Sequence, residues 1–279
     1  MSRQKPRISF EYFPPKTDQG KDKLLNVTTP ALNELNPEFF SVTYGAGGST
    51  RDTTLGVVSN IREAGIDVAP HLSFGGDDED TVGALLDMYR ERGIKRLVAL
   101  RGDMPSGMGA AMQLVYANEL VAFIRDRTGD HFTIEVAAYP EIHPESHSYD
   151  SDIAFLKGKF EAGANSAITQ YFFNVEAYFY FLDQCAAAGI DKPIYAGIMP
   201  IINFTNLVRF SHNCGAEIPR WIHQRMESYG DDQDSMRKFG IEVVSQLCQT
   251  LLDNGAPGIH FYTMNQVEPT REIYNNLGL

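Results

Sequence analysis

Eight short apolar or aromatic runs, each closed by glycine, proline or polar residues, divide the sequence at 8–13, 39–44, 68–74, 96–101, 133–139, 166–173, 194–199 and 258–262. Runs of this length and makeup are strand signals. Helix-like stretches lie between them, among them 53–63, 80–92, 114–127, 153–161 and 175–188. Val115, Leu120, Phe123 and Ile124 show apolar residues at helical spacing, and Gly65, Gly93, Gly129, Gly163 and Gly189 follow helices where a left-handed cap is wanted. Such alternation leaves two α/β folds, a (β/α)8 TIM barrel of about 250 residues or a doubly wound open sheet. The first strand lacks a glycine-rich dinucleotide turn and eight units emerge without forcing, so the barrel is expected, as a single domain over residues 1–279. The segment 205–253 is long for one connection. Two or three helices are expected there, broken around 215–219 and 230–234.

The formal charge of −12, from 24 basic and 36 acidic residues, argues against a nucleic-acid or membrane-surface role. One local pocket can still be basic on an acidic protein. No apolar run is long enough to span a bilayer, and the charges of MSRQKPRISF are followed by no apolar leader core. Cys185, Cys214 and Cys248 are far apart and odd in number, which suggests free thiols in a reducing compartment. A cytoplasmic protein is expected.

In a barrel, chemistry collects where strands end. Glu11 stands in ISFEYFPPK, where Pro14-Pro15 must end the strand. It reads either as an edge-strand carboxylate facing water or, flanked by Phe10, Tyr12 and Phe13, as a desolvated one with its pKa raised toward neutrality, as a general acid needs. Other strand ends supply Thr43-Tyr44-Gly45, His71, Arg101-Gly102-Asp103, Tyr139 through His143, Gln170, and Thr263 to Gln266. His71 lies in an apolar run, where a lone histidine is more often a satisfied core residue than a ligand, and 45–50 reads as either a phosphate-binding loop or a plain turn. The loop 104–113 reads as a ligand cover or a connector. The acidic runs 77–80 and 231–234 read as helix starts. Glu141, His143 and Glu145 have metal-like composition but no second cluster at ligand spacing, so no metal is expected.

Taken in order, ISFEYFPPK, FFSVTYGAGGSTRD, APHLS, LVALRGD, VAAYPEIHPE, GANSAITQYFF, GIMPI and HFYTMN resemble the methylenetetrahydrofolate reductase family in its bacterial, single-domain form. The resemblance implies a barrel holding FAD non-covalently. NADH or NADPH would reduce the flavin, and 5,10-methylenetetrahydrofolate would then take hydride to become 5-methyltetrahydrofolate, in ping-pong order. It also implies a homo-oligomer supplying methyl groups for methionine synthesis.

The same resemblance implies site residues. Glu11 matches the general acid that protonates N10, and Asp103 a carboxylate beside flavin and pterin that tunes the redox potential. Tyr44, Ala46, His71, Arg101, Gly102, Asp103, Tyr116, Ala117, Tyr139, His143, Asp152 and Lys159 match FAD contacts. Thr43, Gln170, Asn206, Phe210 and Gln266 match substrate positions. Phe155 and Gly158 stand where the family has polar or basic FAD contacts, Asn206 and Gln266 stand where it has a Gln and an Arg that help hold folate, and 104–115 aligns poorly. Two other readings are another FAD barrel oxidoreductase, resembling proline dehydrogenase, and a non-catalytic folate-binding subunit.

Overall fold

Alternation within the first strand organises the molecule. In β1 (Arg7–Tyr12), Ile8, Phe10 and Tyr12 are buried on one side, whereas Arg7, Ser9 and Glu11 point to the other. Phe10 and Tyr12 pack on Phe40, with ring centroids 5.7 and 5.2 Å away. A computed structural model describes residues 5–44, 50–75, 77–102 and 116–279. It places eight parallel strands in a closed barrel, in chain order, with β8 returning to pair with β1. The others are β2 (Phe39–Val42), β3 (Val68–Leu72), β4 (Arg96–Ala99), β5 (Thr133–Ala138), β6 (Ser166–Thr169), β7 (Ile194–Ile198) and β8 (Gly258–Tyr262). Glu11 sits in register with Ser41 on β2 and Tyr262 on β8.

The expected (β/α)8 TIM barrel is the fold. Helices α1 (Asp18–Lys23) and α2 (Thr29–Asn33), joined by a π-helical turn at Leu24–Thr28, follow β1. Then come α3 (Arg51–Glu63), α4 (Glu79–Glu91), α5 (Ala117–Thr128), α6 (Tyr149–Glu161) and α7 (Val175–Ala187) after successive strands. The long segment before β8 holds α8 (Phe204–Cys214), α9 (Arg220–Ser228) and α10 (Gln233–Asp253), and α11 (Thr270–Asn276) closes the chain. Its breaks fall at Gly215 and Gly230, both in the left-handed region at φ 74° and 56°. Asp78 and Asp232 cap α4 and α10 by accepting from Thr81 N and Ser235 N, as the acidic runs indicated. No helix among the described residues is long and apolar enough to cross a membrane.

Several strands stop short of the expected ends. Gln170 N still donates to the Ala138 carbonyl at 2.8 Å, but Tyr171 N turns to the Gln170 side chain at 3.0 Å, so residues 171–173 leave the ladder. Phe172 then stacks on Tyr178 of α7. Helices α1, α2 and α11 escaped the sequence reading because DQGKDK has no apolar stripe and the last helix spans only seven residues.

Apolar side chains fill two separate spaces. The larger lies between strands and helices; the smaller, inside the barrel, holds Phe39, Ala69, Val98 and Ile168. Inside the barrel, at the strands' N-terminal end, the fully buried Glu135 accepts from Arg7 at 2.9 Å and from Arg96 and Ser166. Burial would raise the Glu135 carboxyl, but Arg7 and Arg96 outweigh it and hold it below the usual carboxylate range. Glu135→Gln leaves Arg7 and Arg96 sharing the half-exposed Glu38 as counter-charge, and should cost about 3 kcal/mol in urea unfolding. The native carboxyl's lowered pKa means its contribution is complete above the unfolded-state value and lost as pH falls through the native one. A variant as stable as the parent at neutral pH would contradict this role.

Candidate active site

The C-terminal ends of the strands open into connected cavities. One, of about 460 Å³, is lined by Glu11, Thr43, His71, Gln170 and Phe210. A second, of about 330 Å³, is lined by Arg101, Gly102, Tyr116, Ala117, His143, Asp152 and Lys159. Tyr44, Leu100, Ala137 and Tyr139 line both. A third space, of about 190 Å³, adds Asn206 and Gln266 and shares Met199, Phe210 and Met264 with the first. Every described residue that the family resemblance picks out thus lines one of these neighbouring cavities, whereas Pro140, Glu141, Ile142, Thr263 and Asn265 of the strand-end set line none of the three. Ala46 and Asp103 lie outside the described residues. Among the described residues, no three His, Cys, Asp or Glu side chains are grouped to hold a metal ion.

At the floor of the first cavity, Glu11 Oε2 lies 3.2 Å from His71 Nε2 and 3.3 Å from His260 Nε2, and it accepts from Ser41 Oγ at 3.3 Å. The upward shift read from the sequence for Glu11 is overturned. Burial does push the carboxyl up, but the two imidazoles outweigh it and pull it down to about 2. The physical reason is strand alternation: Phe10 and Tyr12 face the helices, so the neighbours that set Glu11's charge are imidazoles. His260 is fully buried, and burial lowers its pKa despite the opposing pull of Glu11. The neutral ring then carries its proton on Nε2, facing the carboxylate, and Nδ1 accepts from Ser9 Oγ at 2.7 Å.

Sequence reasoning missed His260, Ser9 and Ser41. The signal was the alternation in GIHFY, which sets His260 in phase with Tyr262 on the inner face. Tyr262 itself donates to the Thr169 carbonyl at 2.6 Å and packs against Gly197. Any Cβ at Gly197 would lie 1.9 Å from that carbonyl oxygen, so β7 needs glycine there.

The second cavity is charged. Lys159 Nζ donates to the Ala137 carbonyl at 2.7 Å, and burial pushes its ammonium down to about 8. Arg101 donates to both Glu145 carboxylate oxygens, with Nη2 to Oε1 at 2.9 Å. Asp152 accepts from His143 N at 3.0 Å, and His143 Nδ1 accepts from Glu145 N at 3.1 Å. Burial, then Arg101, lowers the His143 pKa, so the neutral ring offers its Nε2–H. At the junction, Tyr44 donates to Asp77, which also pairs with Arg51, and burial pushes the phenol up to about 12. Among the described residues, the third space is lined by apolar side chains and the neutral amides of Asn203, Asn206 and Gln266.

This donor set fits a flavin dinucleotide: an elongated space, a cation in one lobe for a pyrophosphate, and a polar, aromatic lobe for a planar ring. Lys159 and Arg101 would face the phosphates. His71, Tyr44 and Tyr139 would lie along the remainder.

The family model for methylenetetrahydrofolate reductase matches residues 1–278. The 5,10-methylenetetrahydrofolate reductase of Escherichia coli K12 is 39% identical over 273 residues, covering 98% of this chain and 90% of the relative. The Buchnera aphidicola (Schizaphis graminum) enzyme of that name is 40% identical over 276 residues, covering 99% and 93%. Methylenetetrahydrofolate reductase (NADH) 1 of Arabidopsis thaliana is 35% identical, matched over 98% of this chain and 48% of its own. A solved structure of an uncharacterized Clostridium thermocellum protein, which binds two copies of 5-methyl-5,6,7,8-tetrahydrofolic acid, shares the fold. Its TM-score is 0.68 at 18% identity, covering 99% of this chain and 94% of that one.

The lowered Lys159 pKa makes anion binding pH-dependent. Above about 8 the empty site has lost the Lys159 proton, and an anion must recruit one to bind. Titrating ADP into the full chain should therefore show affinity falling by up to about tenfold per pH unit above that value. Lys159→Met should bind ADP weakly and without this limb; an unchanged limb would show that another group sets it.

Proposed function

The chain belongs to the methylenetetrahydrofolate reductase family, and from that premise we propose that it makes 5-methyltetrahydrofolate using NADH or NADPH as donor and FAD as carrier. FAD, when bound, supplies a two-electron carrier that takes hydride from one substrate and passes it to the next. The remaining chemistry belongs to the protein's own side chains.

The observation that carries the proposal is a carboxylate between two imidazoles, at the floor of a cavity large enough for a pterin. The methylene bridge must open before it accepts hydride, and opening needs a proton at N10. Glu11 is ionised in the empty site, so it must take up a proton before it can act as the acid. A bound pterin displaces water and makes an ionised carboxylate more costly, which favours the protonated form. The acid is then formed where N10 arrives. Ser41 and the Ser9–His260 pair hold Oε2 in place, while Oε1 is met by none of these groups.

Gln170, Thr43 and Phe210 border the same cavity and are assigned to substrate handling, with the amide reading the pterin edge and the ring covering its face. Asp103 is assigned to stabilising the cationic iminium that ring opening leaves. The third space would take the benzoyl portion of the folate against Phe13 and Leu207, with neutral amides at its polar contacts. Turnover of this kind fits a homo-oligomer in the cytoplasm that supplies methyl groups for methionine synthesis.

The test separates two half-reactions. Glu11→Gln should leave flavin reduction by NADH within about twofold of the parent and slow flavin reoxidation by methylenetetrahydrofolate by about a hundredfold or more. Equal losses in both would remove Glu11 from the acid role.

A further inference from the structure

Two aromatic rings stand exposed beside the cations of the second cavity. Tyr116, at the start of α5, and Phe155, in the middle of α6, both line it, and their planes lie 9° apart with centroids 6.4 Å from each other. Tyr116 is 51% and Phe155 56% exposed, so neither ring belongs to the core. On α6, Asp152, Phe155 and Lys159 fall at i, i+3 and i+7 and line the cavity, while Ile153 and Leu156 turn to the buried side.

Gly158 adds an independent observation. It lies three residues after Phe155, hence beside it on the helix surface, and a Cβ there would meet nothing within 4 Å. A glycine inside a helix costs about 1 kcal/mol relative to alanine. Neither a positive φ nor a close neighbour accounts for this one. A local rule broken without a packing reason marks a place where space itself is used.

We propose that Tyr116, Phe155 and the bare backbone at Gly158 form a stacking slot for the adenine ring of the dinucleotide cofactor. Phe155 supplies a ring face, and Gly158 keeps the adjacent helix surface clear. Lys159, the next residue along α6, then meets the phosphates. The rings offer π faces and, apart from the Tyr116 hydroxyl, no hydrogen-bonding edge, so the slot recognises a planar base by its faces. This arrangement takes the place of the polar or basic contacts that the sequence lacks at Phe155 and Gly158. It deepens the flavin reading and rests on it.

Equilibrium binding of FAD and of FMN to the full chain tests the slot, because FMN has the flavin and a phosphate but no adenine. Phe155→Ala should weaken FAD about tenfold, the scale of one base stacked on one aromatic ring, and leave FMN unchanged. Phe155→Trp should restore FAD binding. Gly158→Leu, which fills the cleared surface, should also weaken FAD selectively. If Phe155→Ala weakens FAD and FMN equally, or neither, the slot is refuted while the flavin reading stands. A parent protein that binds neither flavin would overturn the flavin reading itself, and the slot with it.

Discussion

Closure of the barrel, with β1 hydrogen-bonded to both β2 and β8, is the constraint on which the site depends. It brings His260 within 3.3 Å of Glu11 across 249 residues of sequence, with His71 of β3 completing the cluster. An open sheet would leave β1 and β8 apart and Glu11 without this partner. Closure also divides the side chains. Outward residues of β1 join the helix-facing core, and inward ones meet the charged and polar groups of the other strands. The barrel interior is therefore electrostatically organised along its axis. Arg7 and Arg96 are balanced by Glu135 and Glu38 near one end, a small apolar set fills the middle, and the Glu11 cluster opens at the other.

Acidity overall and cationic chemistry locally coexist without conflict. The formal charge of −12 is a property of the whole chain, whereas Lys159 is half-buried against a backbone carbonyl inside one cavity. Burial makes such a cation costly in the empty protein, as its lowered pKa records. An anionic ligand relieves that cost. The same logic runs in reverse at Glu11, where neighbouring imidazoles more than offset burial and keep a carboxylate charged until the surroundings change.

The fold was legible because its signals are local. Each strand carries its own alternation or apolar run, and Gly65, Gly93, Gly129, Gly163 and Gly189 all take positive φ after helices. The strand ends were legible as places where polar groups gather, and Glu11, His71 and Gln170 do line one cavity. The charge state of Glu11 was not, because it is set by His260 and by which side of the strand Phe10 faces, neither visible in a nine-residue window. Lys159 and Asp152 could be placed only through the family resemblance, since a helix face carries no mark of the cavity it borders. Phe155 was visible as a departure, but its ring partner Tyr116 lies 39 positions away on another helix.

The central claim is that one flavin in this barrel serves a nicotinamide and a folate in turn. Anaerobic stopped-flow on the purified full chain, following flavin absorbance, tests it most directly. Bleaching on addition of NADH or NADPH, followed by return of colour on addition of methylenetetrahydrofolate with formation of 5-methyltetrahydrofolate, is the predicted result. A flavin that neither nicotinamide bleaches, or a bleached flavin that methylenetetrahydrofolate leaves colourless, would contradict the account.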